Sequence, residues 1–336
     1  MFATSEGTAR YRDRFAAFRD AGFYRTVRSP ELALEVSSLG VGTYLGAEDD
    51  ATDRAYTDAL IAAGEGGINF FDSAINYRRQ RSERCIGAAL KQMQRDEVVV
   101  CTKAGFLTPG AVPESLRRED VVGGMHCVAP DFLADQIERS RANLGVDTID
   151  VFYLHNPETQ LGFVDRAEFD ARIRRAFAYL ERLASEGKLR WYGAATWDGF
   201  RKKGALCLER LAEIAVEEGG PEHHFRFIQL PFNLNMVEAF VERPESVLEA
   251  AARLGIAAVA SATLLQTQVL AHMPGRVAQV LPGLASDAQR AIQFTRSTPG
   301  ISVALVGMSR REHVVENLGV AAVLPAARED YVRLYR

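Results

Sequence analysis

Eight short apolar runs rich in β-branched and aromatic residues recur along this chain, at 39–44, 68–71, 98–101, 149–154, 191–195, 227–230, 256–260 and 303–306. Between and after them lie segments with apolar residues at helical spacing, at 52–63, 83–93, 132–144, 172–186, 206–218, 245–254, 287–295 and 311–318. Continuous rather than alternating apolar strands are buried on both faces, and strands separated by helices pair in parallel. Eight such units predict an α/β fold, a closed (β/α)8 barrel. The rival is a doubly wound open sheet, whose mark is Gly-x-Gly-x-x-Gly after the first strand. Gly40-Val-Gly-Thr-Tyr-Leu-Gly46 misses that pattern by one residue, because Leu45 holds the third glycine position.

The 336 residues exceed the ~250 typical of such a barrel but lie within the ~200 to 400 that insertions allow. One barrel domain over 1–336 is therefore expected. An extension at 1–35, helical over 10–20 and folded as a hairpin over 24–36, would plug the barrel bottom, and 319–336 would form a tail. The Gly- and Pro-rich stretch 106–130 is too long for an ordinary βα loop and is expected to shape a substrate pocket.

Forty Lys and Arg stand against 44 Asp and Glu, a formal charge of −4 without long single-sign runs. That leaves no electrostatic footprint for nucleic acid. The clearest apolar run, 256–265, is far below the ~20 residues that span a bilayer, so no membrane partner is expected. The amino terminus lacks the basic flank and apolar core of a signal peptide. Cys85, Cys101, Cys127 and Cys207 have no CxxC spacing and read as reduced, structural thiols of a cytoplasmic protein. His126 beside Cys127, and the pair His223-His224, lack the spacing or third ligand of a zinc site. They are expected in surface loops, with no metal.

Parallel barrels gather the C-terminal ends of their strands at one rim, where active sites form. Four titratable side chains fall at or just beyond such ends: Asp72 and Tyr77 after the second run, Lys103 after the third, His155 after the fourth. A phenol with a reference pKa of ~10 is a poor proton donor and a poorer base until its surroundings lower that value. A lysine ammonium nearby favours the phenolate, and a carboxylate paired to the lysine keeps it charged. A neutral histidine can orient a carbonyl oxygen by donating a hydrogen bond. Together these groups suit hydride addition to a carbonyl, with Tyr77 giving the proton. No side chain supplies a hydride, so a nicotinamide cofactor is required.

At these residues the chain resembles the aldo-keto reductase family, over roughly 39–318. Gly67-Ile-Asn-Phe-Phe-Asp-Ser-Ala-Ile-Asn-Tyr77, with Ser82-Glu83 and Ile86-Gly87, is similar to the family's second-strand signature. Cys101-Thr-Lys103-Ala-Gly is similar to its lysine strand, and Ile149-Asp-Val-Phe-Tyr-Leu-His155 to its histidine strand. Leu180-Glu-Arg-Leu-Ala-Ser-Glu-Gly-Lys-Leu-Arg190, leading into Trp191-Tyr-Gly193, is similar to the family's helix and fifth strand. The resemblance implies a dinucleotide extended over the barrel mouth, with NADP(H) expected over NAD(H). Gly42, Thr43 and Tyr44 would line the nicotinamide, and Gln229 would bond its carboxamide. Around Gly307, Glu316 and Asn317 would meet the adenine, while Ser309, Arg310 or Arg311 would hold a 2′-phosphate, assisted by helix N-terminal amides. The substrate would be a small carbonyl compound or a sugar.

Departures from the family pattern mark this chain. Ala195-Thr196 stands where Ser-Asn is usual, so one carboxamide contact is lost or passes to the Thr196 hydroxyl. Ser261 stands where an aromatic often stacks on the nicotinamide, and Arg78 replaces the glycine that usually follows the tyrosine. The arginine is expected to put a cation at the substrate mouth and favour anionic or polyhydroxyl substrates. Two other readings stay open: a cofactor-binding regulatory subunit with little turnover, and a lyase using Lys103 as a Schiff-base amine.

Overall fold

The computed structural model describes residues 1–29 and 32–335; residues 30 and 31, inside the expected hairpin, and 336 in the tail lie outside the described residues. Strands β1 (Tyr24–Arg28) and β2 (Ala33–Ser37) pair antiparallel. The strands β3 (Leu39–Gly42), β4 (Phe70–Asp72), β5 (Val99–Ala104), β6 (Ile149–His155), β7 (Leu189–Ala195), β8 (Phe225–Pro231), β9 (Ala257–Ser261) and β10 (Ile301–Gly307) close into a parallel barrel in chain order. That closure excludes the open sheet. Helices α1 (Ser5–Arg14) and α2 (Ala16–Asp20) precede it, divided at Phe15. Then follow α3 (Asp50–Glu65), α4 (Arg81–Leu90), α5 (Pro130–Leu144), α6 (Arg166–Ser185), α7 (Leu208–Gly219), α8 (Glu238–Val241), α9 (Val247–Arg253), α10 (Gly275–Val280), α11 (Asp287–Ser297), α12 (Arg311–Asn317) and α13 (Arg328–Tyr331). Among the described residues no helix is long and apolar enough to cross a membrane.

Side chains alternate across a strand, so one parity of each barrel strand faces the interior and the other faces the helices. Val99 and Cys101, Val151 and Tyr153, Phe70, Trp191, Phe227, Val259 and Val303 pack together inside the barrel. Phe71, Val100, Phe152, Leu154, Ile228 and Ala258 belong to the larger core shared with the helices. Both parities are buried, which is why the runs read as continuously apolar. Val27, Leu34 and Val36 of the hairpin join the interior cluster, so the expected plug forms.

The elements outrun the apolar runs that announced them. Strands β4, β5 and β6 continue through Asp72, Lys103 and His155, because ladder pairing uses the backbone whatever the side chain: Asp72 stands beside Cys101, Lys103 beside Tyr153, and His155 beside Ala195. Helix α6 begins at Arg166 rather than 172, since Asp165 caps it by accepting from the Glu168 N–H at 2.9 Å. Its charged first turn hid that start.

Candidate active site

The interior parity, followed upward, delivers the candidate groups. Two residues beyond Phe70 stands Asp72, two beyond Cys101 stands Lys103, two beyond Tyr153 stands His155, and two beyond Phe227 stands Gln229. Each strand that buries an apolar side chain in the barrel therefore points its next inward residue into the C-terminal mouth. Lys103 is fully buried, and its Nζ donates to Asp72 Oδ2 and to the Ser73 carbonyl, each at 2.6 Å. The Tyr77 hydroxyl lies 3.5 Å from the same nitrogen. Gln229 Nε2 donates to the other carboxylate oxygen, Asp72 Oδ1, at 2.8 Å.

Burial works against both members of the central pair, pulling Lys103 down and pushing the Asp72 carboxyl up. On Lys103 the charges of Asp72 and the Tyr77 phenol outweigh burial and hold the ammonium above its ordinary value. An ammonium 2.6 Å from one oxygen and an amide donor on the other leave the carboxylate acting only as acceptor, so the pair is ionic. For Tyr77 the outcome corrects the expectation that lysine lowers its pKa. Burial raises the phenol by more than Lys103 lowers it, and the net direction is up. The hydroxyl accordingly stays protonated at neutral pH.

His155 is held well below its ordinary pKa by burial and by the charge of Lys103, so it is neutral. Its Nδ1 is sealed from solvent without a partner. A lone pair left unpaired there is cheaper than a buried N–H left unpaired, which assigns the proton to Nε2. The ring meets Tyr77 edge to face, with centroids 5.7 Å apart, and Phe106 similarly at 5.2 Å. Tyr44, exposed, also packs edge to face with Tyr77, at 5.0 Å.

Two expectations about histidines are corrected. His126 is fully buried rather than in a surface loop: its Nε2 lies 2.8 Å from the His155 carbonyl oxygen, and Gln160 Nε2 lies 2.8 Å from its Nδ1. Arg172 Nη1 donates to Gln160 Oε1 at 2.8 Å, extending the chain outward. This network ties the long 106–130 segment to the strand end that carries His155. His223 is also buried, against Arg226, and His224 bonds Glu181. Among the described residues no group of His, Cys, Asp and Glu is placed to hold a metal. All four cysteines are free; Cys207 is exposed, and the other three are buried.

Arg78 also departs from expectation. Its guanidinium turns away from the mouth, donating from Nη2 to Asp53 Oδ1 at 2.5 Å, with its side chain only 1% exposed. Asp53 attracts it from the start of α3, and the Tyr56 ring lies under it at 5.2 Å. No charge from Arg78 reaches the substrate space.

The residues expected around a dinucleotide differ in how they are placed. Gly42 and Gly307 are register partners on β3 and β10. A Cβ on Gly307 would meet nothing within 4 Å, and one on Gly42 only the Val306 backbone at 3.8 Å or more. The two glycines leave a notch without side chains at the ends of β3 and β10, and beyond Gly307 follow the half-buried Ser309 and the exposed Arg310 and Arg311. Arg311 reaches only Glu65, at 3.7 Å between exposed ends. Glu316 is exposed and accepts from Ser286, while Asn317 is buried. Thr43 does not line the notch: it is fully buried, donates to the Asp72 carbonyl at 3.0 Å, and supports the site from behind. Thr196 is buried against the Gln229 carbonyl, and Gln229 gives one of its two amide N–H groups to Asp72. A notch open to the backbone, followed along the chain by exposed arginines, fits the phosphates of an extended dinucleotide.

Comparison with known proteins gives the same direction. The model of the Aldo/keto reductase family matches residues 38–273. A D-threo-aldose 1-dehydrogenase of Pseudomonas sp is 34% identical over 176 residues, 48% of this chain and 49% of that protein. An NADH-specific methylglyoxal reductase of Escherichia coli K12 is 30% identical over 172 residues, 49% of this chain and 50% of the other. In both alignments the chain spans about half the length of the curated relative. The crystal structure of an aldo/keto reductase from Klebsiella pneumoniae in complex with NADP and acetate superposes with a TM-score of 0.67 at 21% identity, covering 92% of this chain and 95% of that one. That likeness establishes the barrel fold.

Proposed function

The chain belongs to the aldo/keto reductase family, and on that premise we propose that it is an NAD(P)H-dependent oxidoreductase interconverting an aldehyde, ketone or sugar carbonyl with its alcohol. The observation that carries this reading is the Tyr77 hydroxyl 3.5 Å from an ammonium that Asp72 holds at 2.6 Å, facing a neutral His155. A bound nicotinamide would supply or accept the hydride at the carbonyl carbon. His155 Nε2–H donates a hydrogen bond to the carbonyl oxygen and fixes its place. Tyr77 Oη then gives that oxygen its proton, and the Lys103 ammonium stabilises the phenolate left behind. Asp72 keeps Lys103 charged and still, and Gln229 keeps Asp72 in place.

Gly42, Tyr44, Thr196 and Gln229 would hold the nicotinamide end, and Gly307, Ser309, Arg310, Arg311, Glu316 and Asn317 the adenosine end. Two adjacent exposed arginines, Arg310 and Arg311, support NADP(H) over NAD(H). The Schiff-base alternative is disfavoured by the same lysine, since an amine nucleophile must lose its proton and Asp72 stabilises the charged form. The test follows the absorbance of NADPH with a panel of aldehydes, ketones and aldoses. Carbonyl-dependent consumption supports the reading; tight NADPH binding with no turnover on any of them would mark a binding subunit instead.

A further inference from the structure

The turn after Tyr77 has an uncommon backbone. Arg78, Arg79 and Gln80 have φ of 48°, 50° and 73°, three successive non-glycine residues in the left-handed region. L side chains persist there only when their surroundings over-determine the conformation. The surroundings here are ionic and specific. Arg78 Nε donates to the Ala47 carbonyl at 2.8 Å, Nη2 to Asp53 Oδ1 at 2.5 Å, and Nη1 reaches Cys85 Sγ at 3.7 Å. Arg79 pairs with Glu48 at 3.1 Å, and Arg81 with Asp53 at 2.8 Å and with Asp50. Every one of these acceptors except Cys85 lies on the 43–49 loop or on α3. That loop also carries Tyr44, whose ring meets Tyr77.

We propose that Arg78 is a positioning residue: its buried guanidinium latches the left-handed turn to the 43–49 loop and to α3, and so sets the Tyr77 hydroxyl beside Lys103 and the Tyr44 ring against Tyr77. A glycine at this position would adopt the same φ without strain, so the backbone alone gives no reason for an arginine. What the arginine adds is the connection between the element that carries the phenol and the element that carries its aromatic neighbour. This inference rests on the reading of Tyr77 as proton donor.

The test compares full-length wild type with Arg78→Met, Arg78→Lys and Asp53→Asn in NADPH-coupled carbonyl reduction, alongside NADPH binding by fluorescence. A misplacement of the order of 1 Å at the reacting group costs about 100-fold in rate, so Arg78→Met lowers kcat about ten- to 100-fold. NADPH binding stays unchanged. Arg78→Lys recovers part of the loss, because it restores the charge but not the planar fork. Asp53→Asn lowers kcat less, and adding it to Arg78→Met causes no further fall, as expected for partners in one interaction. A folded Arg78→Met with wild-type kcat overturns the proposal, and so does a loss of NADPH affinity that accounts for the whole effect. Should Arg78→Met not fold, a wild-type kcat in Asp53→Asn overturns it. A crystal structure of Arg78→Met separates this idea from the proposed function. If wild type reduces no carbonyl, the functional reading falls, and a Tyr77 hydroxyl unmoved from Lys103 in that variant then overturns the positioning role independently.

Discussion

Replacing Asp72 by Asn removes one charge from the centre of the site while keeping its shape. Nζ of Lys103 and Oδ2 of Asp72 are 2.6 Å apart, with side chains 0% and 4% exposed. At an effective dielectric of about 20, that separation corresponds to about 6 kcal/mol of gross attraction. The net effect is smaller, because both charges were desolvated on folding; removing one partner of a buried pair costs about 3–5 kcal/mol. Asn still offers an oxygen to Lys103, and the Gln229 amide can turn to accept from the new NH₂, which places the expected loss near about 3 kcal/mol. Denaturant unfolding should report that loss, with a drop in melting temperature of about 4 °C for a chain of this length. The Lys103 pKa should fall, since burial is then opposed only by the phenol. Carbonyl reduction should fall about 100-fold or more, as the phenolate loses its charged neighbour. The double variant Asp72→Asn/Lys103→Met sharpens the test: with no buried charge left, most of the lost stability returns, while activity does not. A single variant within about 0.5 kcal/mol of wild type, in the range of neutral surface changes, would refute the reasoning, and so would a double variant less stable than the single.

Further outcomes follow from other parts of the molecule. His126 is fully buried, with its pKa pulled down to about 4 by burial. The unfolded chain binds the proton more readily between pH 6.5 and about 4, so stability is lost as pH falls through that window, by roughly 3 kcal/mol. His126→Gln keeps a donor to the His155 carbonyl without that titration, and its unfolding free energy should lose less than wild type between pH 7 and pH 4. Arg310→Ala/Arg311→Ala should raise the KM for NADPH about tenfold or more, the worth of a charge-assisted contact, and leave the KM for NADH unchanged. Equal effects on both cofactors would place the phosphate elsewhere. Alkylation of the native protein should modify Cys207 alone and leave turnover intact, because Cys85, Cys101 and Cys127 are buried with thiols pushed up, Cys127 to about 11; mass spectrometry of the labelled peptides decides it.

The barrel was legible because its signal is repeated and physical: each strand buries both parities, and each gap holds one helical period. Asp72, Lys103 and His155 were legible for a related reason, since polar residues that end buried runs can only point into the mouth or the helix layer. Side-chain direction beyond the strand ends was not. Arg78 follows Tyr77 in the chain, but three left-handed residues turn it toward Asp53, and no local pattern announces such a turn in non-glycine residues. His126 lies 29 residues from His155, in a segment without periodicity, so its contact with the strand end depended on how a long loop closes. The pKa of Tyr77 shows the same limit in energetic form. Sequence supplied its charged neighbour, which lowers it, but not its burial, which raises it more.

The central claim is that the Tyr77 hydroxyl gives the carbonyl oxygen its proton. Single-turnover reduction by Tyr77→Phe, with NADPH bound in advance and its affinity measured on the same sample, tests this most directly. The variant keeps the ring that packs on Tyr44 and His155 and loses only the oxygen beside Lys103. A fall in rate of about 100- to 10,000-fold with NADPH affinity unchanged is the predicted result. Turnover at the wild-type rate would contradict it and move the proton donor to another group.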